Sequence, residues 1–310
     1  PENRTEGDLP HLALTAGGAD PLECLLRKIG VEDSEFGPAG SPARIHLYEG
    51  GTFSVGGNPQ PVTKKLAGGA DLAKSSTLLA SKEAMAPYDI VLLACEGTEN
   101  EAQKPEASRQ SLYDYAKSGG RVFASHYHHV FFSGSPEASV RGLASWVNTA
   151  TCGDPGQPRC EPEPPKTQAV AGTVNTSFPK GTAMKEWLGA TGSLTPEGEL
   201  QLLEMRHNVD QVAAGGLSWI SAKNPASTPA NKTAVQYMSF NTPVGAADDK
   251  VCGRVVFSDL HVGAGDTPGP DFPQGCTTKD LTPQQKALTF MLFDLSSCIQ
   301  RDDLPPVVPR

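Results

Sequence analysis

The stretch that decides the fold is residues 88–97, YDIVLLACEG, in which five apolar residues run without alternation between Asp89 and Cys95. A continuous apolar run of this length is typical of a parallel strand that helices cover on both faces. The same pattern, an apolar run that ends in glycine or polar residues, recurs in residues 11–18 (HLALTAGG), 43–51 (ARIHLYEGG) and 119–129 (GGRVFASHYHH). These runs predict parallel strands within the first 130 residues.

Helical segments lie between and after these strands. Residues 21–30 (PLECLLRKIG) have helical apolar spacing, and Asp20 before Pro21 predicts an N-cap. Residues 105–120 read as a helix closed by glycine. Near the end of the chain, Thr282 and Gln285 predict a capping box before an apolar helix. The alternation of strands and helices predicts an α/β fold: a flavodoxin-like, doubly wound, mostly parallel sheet with helices on both faces.

The predicted domain organisation is simple. We expect an N-terminal extension over residues 1–8, a single α/β domain over 9–300, and a C-terminal tail over 301–310. Residues 146 to about 185 interrupt the strand–helix rhythm with Gly, Pro and Thr, and include EPEPPK at 161–166. This stretch is predicted to be a long loop insertion on the surface.

Composition limits the partners. The 310 residues are 38% hydrophobic and 20% charged, with a net charge of −9. Nucleic acids and anionic membranes select basic patches, so neither is an expected partner. No stretch approaches the roughly 18 apolar residues of a membrane span, so none is expected.

The seven cysteines indicate an oxidising compartment. None forms a CxxC pair, which disfavours a zinc ribbon or a thioredoxin motif. Loop chemistry and helix placement predict three disulfides and leave Cys95 unpaired: Cys24–Cys298, Cys152–Cys160 and Cys252–Cys276. Disulfides predict an extracytoplasmic protein, either secreted, periplasmic or in the cell envelope. The alternative is that all seven are reduced, buried side chains.

Polar side chains follow the predicted strands. Parallel strands end at the same edge of a sheet, where ligands bind in such folds. The residues delivered there are Glu49, Gly50, Cys95, Glu96, Gly97, Ser125, His126, Tyr127, His128, Asp259 and His261. Their convergence is the main functional signal in the chain.

A family resemblance rests on YDIVLLACEG, GGRVFASHYHH and CGRVVFSDLH, in that order. Over about two-thirds of its length, the chain resembles the class I glutamine amidotransferase-like superfold, specifically its ThuA-like (trehalose-utilisation-like) branch. The resemblance implies a hydrolase with Cys95 as nucleophile and His261 as base, and a saccharide-type or other small-molecule ligand.

The chain departs from the family pattern in two places. Ala94 precedes Cys95 where glycine usually flanks the turn, and Gly263 stands where the family has an acid. Asp259 or Asp266 would have to replace that acid. In this hypothesis, backbone N–H groups near Gly50 or Gly97 stabilise an oxyanion.

Neighbouring groups are expected to affect the ionisation of the Cys95 thiol. A histidine or a helix N-terminus can lower the pKa of a strand-end thiol. The charge of Glu96 would oppose ionisation of Cys95. A lone buried cysteine without chemistry is the alternative.

The second hypothesis is a metal site. His126 and His128 lie two residues apart, so on an extended strand end both would point to the same side. His261 can join them, with Asp259, Glu96 or Glu49 as oxygen ligands. Histidines plus a carboxylate suit zinc or a comparable first-row metal in a hydrolase or oxidase. A hydrogen-bonded histidine cluster without metal is the alternative, as is a ligand-binding module without catalysis.

Overall fold

The computed structural model describes residues 1–55, 58–61, 65–66, 69, 71–149, 151–155, 160–261, 271–276, 280–297, 299–300, 302 and 304–305. In chain order, its strands are β1 (Leu12–Thr15), β2 (Phe36–Pro38), β3 (Ile45–Glu49), β4 (Thr52–Val55), β5 (Asn58–Pro61), β6 (Lys65–Leu66), β7 (Ala73–Lys74), β8 (Ile90–Leu93), β9 (Arg121–Ser125), β10 (Ala144–Trp146), β11 (Val170–Val174), β12 (Leu200–Leu202), β13 (Val209–Val212), β14 (Gly216–Asn224), β15 (Lys232–Thr242), β16 (Gly253–Ser258) and β17 (Asp271–Phe272).

The helices are α1 (Leu22–Lys28), α2 (Ser75–Leu78), α3 (Lys82–Met85), α4 (Glu106–Lys117), α5 (Val130–Ser133), α6 (Ala138–Arg141), α7 (Pro179–Ala190) and α8 (Pro283–Ser296). Short 3-10 turns span Asp33–Glu35, Glu101–Gln103, His126–His129 and Asp248–Lys250. Among the helices described, none combines the length and the apolar character needed to cross a bilayer.

One large mixed sheet organises the molecule. Its strand order is β12-β11-β14-β15-β16-β9-β8-β1-β3-β2, with β7 also paired to β3. From β16 to β2 the neighbouring strands are parallel, which confirms the α/β prediction. From β16 to β12 they are antiparallel. β14 and β15, and β15 and β16, are joined by short connections, whereas the chain between β11 and β12 passes through α7.

Helices cover both faces of the sheet, as the continuous apolar runs predicted. In β8, Ile90 and Leu92 pack in one core with residues of α1, α7 and α8. Val91 and Leu93 pack on the other face with residues of α2, α3, α4 and α5. Successive strand residues point to opposite faces, so a strand buried on both faces needs an apolar residue at every position. This continuous apolar character is the pattern that identified β8 in the sequence.

The predicted insertion is more regular than expected. Residues 146–185 contain β11, a strand of the main sheet, and the beginning of α7. In β11, buried Val170, Gly172 and Val174 alternate with exposed residues, a pattern of period two. What remains as loop between β10 and β11 is partly closed by a disulfide between Cys152 and Cys160, which confirms that predicted pair.

The other two predicted disulfides are wrong. Cys24 in α1 pairs with Cys276, and Cys252 is a free, exposed thiol. In the segment containing Cys276, Phe272 packs against Phe36 of β2, with ring centroids 4.5 Å apart, and lies 6.0 Å from the Arg27 guanidinium of α1. Cys298, the expected partner of Cys24, lies outside the described residues.

Candidate functional site

Three adjacent strand ends bring a thiol and two imidazoles together. Cys95 follows β8, His126 follows β9 and His261 follows β16, and these strands are neighbours in the sheet. Cys95 Sγ lies 3.4 Å from His126 Nδ1, which lies 3.0 Å from His261 Nε2. These donor atoms all lie within 4.8 Å of one another, and the exposed fractions of the three residues are 0%, 2% and 2%.

The local backbone places the tight strand-to-helix turn at His126. His126 has a φ of 42°, in the left-handed region that L-residues rarely adopt, where β9 enters the 3-10 turn. The family resemblance located the turn at Cys95 instead. The Cys95 carbonyl accepts a hydrogen bond from the Ala19 N–H at 3.0 Å, so the β1–α1 connection fixes this strand end.

His128 points away from the group formed by Cys95, His126 and His261. The prediction that His126 and His128 share a side assumed an extended strand, but both lie in the 3-10 turn, whose period is three residues. His128 Nε2 lies 3.6 Å from Glu96 Oε1, and its Nδ1 lies 3.3 Å from the Ser125 carbonyl oxygen. In the closest group of ligand atoms among the described residues, Cys95 therefore stands where His128 was expected.

Glu96 is held by cationic and polar partners. Lys104 Nζ donates to Glu96 Oε2 at 2.8 Å, and Asn100 Nδ2 donates to the same oxygen at 2.6 Å. Burial alone would raise the pKa of Glu96, but His128 and the Lys104 ammonium hold it well below its ordinary value. The negative charge of Glu96, which was expected to oppose ionisation of the Cys95 thiol, is thus balanced by Lys104.

Asp259 is fully buried beside the site. Its Oδ2 accepts a hydrogen bond from the Asn208 N–H, and its carbonyl oxygen accepts one from the Arg206 N–H at 2.9 Å. Burial raises the pKa of Asp259 to about 8, which favours the protonated carboxyl. The alternative acid, Asp266, and Gly263 lie outside the described residues.

The pKa values of the two imidazoles, His126 and His261, are shifted in opposite directions. Burial, together with the neighbouring His261 and Arg206, lowers the pKa of His126 well below its ordinary value. Burial would also lower the pKa of His261, but its interactions with Cys95 and with the Glu204 carboxylate raise it to about 9. Of the two imidazoles, His261 therefore holds a proton more readily than His126 does.

Sequence reasoning missed Glu163, Glu204 and Arg206. Arg206 Nη1 lies 2.9 Å from Glu163 Oε2, and Glu204 Oε2 lies 3.4 Å from His261 Nδ1. Glu163 belongs to the EPEPPK segment that was assigned to the surface, and Glu204 and Arg206 follow β12. The spacing of these three residues in the sequence matches no motif, so their position near the site becomes evident only in the folded chain.

The other residues predicted at the strand ends have fewer contacts with Cys95, His126 and His261. The Tyr127 ring packs against the His126 ring in a tilted arrangement with centroids 3.9 Å apart, and Ser125 Oγ donates to the buried Asp20. Gly97 is exposed with a φ of 96°. No hydrogen bond or ion pair between described residues joins Glu49 or Gly50 to the thiol or to the two imidazoles.

Comparison with known proteins gives similarities of fold. A ThuA-like protein from Bacteroides uniformis has a TM-score of 0.48 and 10% identity, covering 94% of this chain and 93% of its own. A ThuA-like protein from Parabacteroides merdae has a TM-score of 0.44 and 11% identity, covering 94% and 91%. A protein from Salmonella typhimurium described as cytoplasmic has a TM-score of 0.40 and 11% identity, covering 92% and 98%.

Two of these neighbours carry the name of the branch that the sequence resembles. No protein-family model matches the chain, and no curated protein sequence matches it. At identities near 10%, the likeness is one of fold, and no residue role follows from it.

Proposed function

We propose that this chain is a metal-dependent hydrolase that binds zinc or a comparable first-row metal through Cys95, His126 and His261. The observation that carries the proposal is the convergence of Sγ, Nδ1 and Nε2 within 4.8 Å at three neighbouring strand ends. Zinc–ligand bonds of about 2.0–2.3 Å place the ligand atoms of one ion about 3–4 Å apart. The 3.0 and 3.4 Å separations are compatible with that arrangement after small adjustments.

The donor set suits catalysis better than a purely structural role. Structural zinc sites generally have four protein ligands, whereas catalytic sites have three and keep one position for water or substrate. When bound, such a metal supplies Lewis acidity and lowers the pKa of a coordinated water. The half-buried Tyr127 and the Glu163 side chain, which is 32% exposed, lie beside the group.

Metal analysis of the purified protein tests the proposal. We expect close to one zinc-class ion per chain in the wild type and its loss in the His126→Ala variant. His11→Ala is the matched control, because His11 lies before β1 and packs against Tyr88 at the opposite end of the parallel strands from the site. A wild-type protein that stays free of metal after exposure to Zn²⁺ or Co²⁺ would refute the proposal.

A thiol–imidazole hydrolase is the second candidate, favoured because Cys95 Sγ lies within 4.8 Å of the ring nitrogens of His126 and His261. In it, Cys95 attacks an acyl or related carbon and His261 carries the proton. Glu96 and Asp259 would be the acidic residues next to Cys95 and His261, with Asp259 acting as a buried acid. An N–H near Gly50 or Gly97 would then stabilise the oxyanion.

Alkylation followed by peptide mass spectrometry separates the two candidates, with the exposed Cys252 as internal reference. A nucleophilic Cys95 should be alkylated faster than Cys252 in the native protein. Under the metal proposal, Cys95 should react only after a chelator removes the ion. If Cys95 stays unreactive and no metal binds, a non-catalytic ligand-binding module is the appropriate description.

We also propose an extracytoplasmic location. The support is the pair of disulfides, Cys24–Cys276 and Cys152–Cys160, since such bonds persist in oxidising compartments. The ligand class that we propose is a small polar molecule of saccharide type, which is what the family resemblance implies. A screen of sugar binding by calorimetry, with the Tyr127→Ala variant as comparison, tests this assignment.

A further inference from the structure

Each imidazole of the site has its second ring nitrogen facing a carboxylate. His261 Nδ1 lies 3.4 Å from Glu204 Oε2, and His126 Nε2 lies 3.6 Å from Glu163 Oε1. The other nitrogens, His261 Nε2 and His126 Nδ1, face each other at 3.0 Å beside the thiol. The two rings therefore present their inner nitrogens to Cys95 and their outer nitrogens to acids.

Arg206 joins the two acids. Its Nη1 lies 2.9 Å from Glu163 Oε2, and its Nη2 lies 3.5 Å from Glu204 Oε2. Arg206 is only 5% exposed. Two carboxylates this close to buried imidazoles would repel each other without a cation, and one guanidinium spans both. Glu163, Glu204 and Arg206 are called the outer network below.

Arg206 also contacts the outer nitrogen of His261 directly. Arg206 Nη2 lies 3.3 Å from His261 Nδ1, and both nitrogens are within 3.5 Å of Glu204 Oε2. An arginine N–H only donates, so in this hydrogen bond Nδ1 is the acceptor and the ring proton is on Nε2. Metal binding at Nε2 requires the other tautomer, in which the Nδ1 proton is donated to Glu204 Oε2. His261 Nε2 is then left as the lone-pair nitrogen.

The outer network comes from a part of the chain separate from the strand ends that carry Cys95 and His126. Glu163 lies on the segment before β11, which is held by hydrogen bonds from Asn148 to the Glu161 carbonyl and from Asn224 to the Pro162 carbonyl. Glu204 and Arg206 follow β12 at the far side of the sheet. The antiparallel half of the sheet thus supplies polar groups to a site built on the parallel half.

We propose that Arg206 is a positioning residue for the metal centre: it holds Glu204 and Glu163 against the outer nitrogens of His261 and His126. The outer N–H groups are thereby fixed, and His261 Nε2 and His126 Nδ1 are left as lone-pair donors to the metal. The inference rests on the proposed function. Carboxylates that take the outer N–H of a ligand histidine fix its tautomer and raise its basicity, and their loss costs about 10–100-fold in metal affinity or activity.

Metal affinity and the spectrum of the Co²⁺ form test this role. Zn²⁺ affinity is measured by competition with a chromophoric chelator for Arg206→Met, Arg206→Lys, Glu204→Gln and the control Glu161→Gln. Glu161 lies on the same segment as Glu163 but pairs with Lys232 instead of the site, so it matches the change in charge. Thermal unfolding monitored by circular dichroism confirms that each variant is folded.

We expect Arg206→Met and Glu204→Gln to bind Zn²⁺ about 10–100-fold more weakly than wild type. Their Co²⁺ absorption bands should shift, while Glu161→Gln keeps the wild-type affinity and bands. Arg206→Lys should recover part of the affinity, because an ammonium can reach one carboxylate but cannot span both.

The outcomes distinguish the two proposals. If wild type binds metal and the Arg206 and Glu204 variants bind it as tightly as Glu161→Gln does, with unchanged Co²⁺ bands, the positioning role is refuted while the metal centre stands. If wild type binds neither Zn²⁺ nor Co²⁺, both proposals fall. A shift confined to the Arg206 and Glu204 variants supports both.

Discussion

Ser125 Oγ donates a hydrogen bond of 2.7 Å to Asp20 Oδ2, which joins the end of β9 to the β1–α1 connection. Asp20 was predicted to cap α1, but the helix begins at Leu22 with Pro21 at the N-cap. The Asp20 carboxylate is fully buried under the candidate site instead. A polar residue at the start of a helix thus stabilises the neighbouring strand end, next to His126.

Ser125→Ala should destabilise the fold. Removing one partner of a buried hydrogen bond costs about 1–3 kcal/mol, so we expect a loss of that order in the free energy of unfolding. Ser111→Ala is the matched control, because Ser111 on α4 donates to its own helix at Ala107. We expect its effect to stay within about 0.5 kcal/mol. Urea denaturation measures both, and equal effects would contradict the structural role of the Asp20–Ser125 bond.

Gly17→Ala should disturb the strand end that carries Cys95. A Cβ at residue 17 would lie 2.8 Å from both the Ala94 Cβ and the Cys95 carbonyl oxygen, which real Cβ atoms do not tolerate. Overpacking of this kind costs about 1–3 kcal/mol. Gly189→Ala is the control, since a Cβ there meets only Leu194 at 3.9 Å on an exposed part of α7.

Thermal unfolding of the two glycine variants gives the comparison. Gly189→Ala should be neutral or stabilising by up to about 1 kcal/mol, because alanine favours helix. Gly17→Ala should unfold at a lower temperature and bind less metal. A Gly17→Ala protein as stable as Gly189→Ala would show that the contact between the β1–α1 connection and Cys95 is not tight.

The Cys24–Cys276 disulfide should contribute substantially to stability. Loss of a native disulfide typically costs about 2–5 kcal/mol, so Cys24→Ser should lower the free energy of unfolding by that order. Cys252→Ser, at a free and exposed thiol, should change it by less than about 0.5 kcal/mol. Peptide mapping without reduction should recover residues 24 and 276 in one linked species, and a link from Cys24 to Cys298 would contradict the structure.

His46 should make the fold sensitive to mild acid. Burial lowers the pKa of His46 below its ordinary value of 6.5. Its Nδ1 lies 2.8 Å from the Tyr88 hydroxyl and its Nε2 lies 2.9 Å from the Ser41 carbonyl oxygen. Below pH 6.5, His46 is protonated in the unfolded chain but stays neutral in the folded chain. The free energy of unfolding therefore decreases as the pH falls, by at most about 1.4 kcal/mol per pH unit.

Urea midpoints at pH 7, 6 and 5 measure this effect. Other buried histidines contribute to the wild-type slope, so the informative quantity is the difference between wild type and His46→Gln. We expect the variant to lose less stability between pH 7 and pH 5 than wild type does. Parallel pH profiles would show that His46 titrates normally in the folded state.

The parallel half of the sheet could be predicted from the sequence because its evidence is local. Burial on both faces requires apolar residues at every position of β8, and the capping box of Thr282 and Gln285 at α8 is contained within four residues. The predicted gathering of Cys95, His126 and His261 followed from one rule of parallel sheets, that strands end at a common edge. The antiparallel strand directions and the role of the EPEPPK segment were not recognised.

By itself, the sequence determined which side chains reach the strand ends, since that depends on where each apolar run stops. Only the tertiary structure decided which of them meet. A 3-10 turn directs His128 toward Glu96 and leaves Cys95 beside the other two histidines. Arg206 and Glu163 arrive from segments distant in the chain. Side-chain direction depends on φ and ψ at single residues, and contacts between distant segments depend on the packing of the whole chain, so neither appears as a pattern in the sequence.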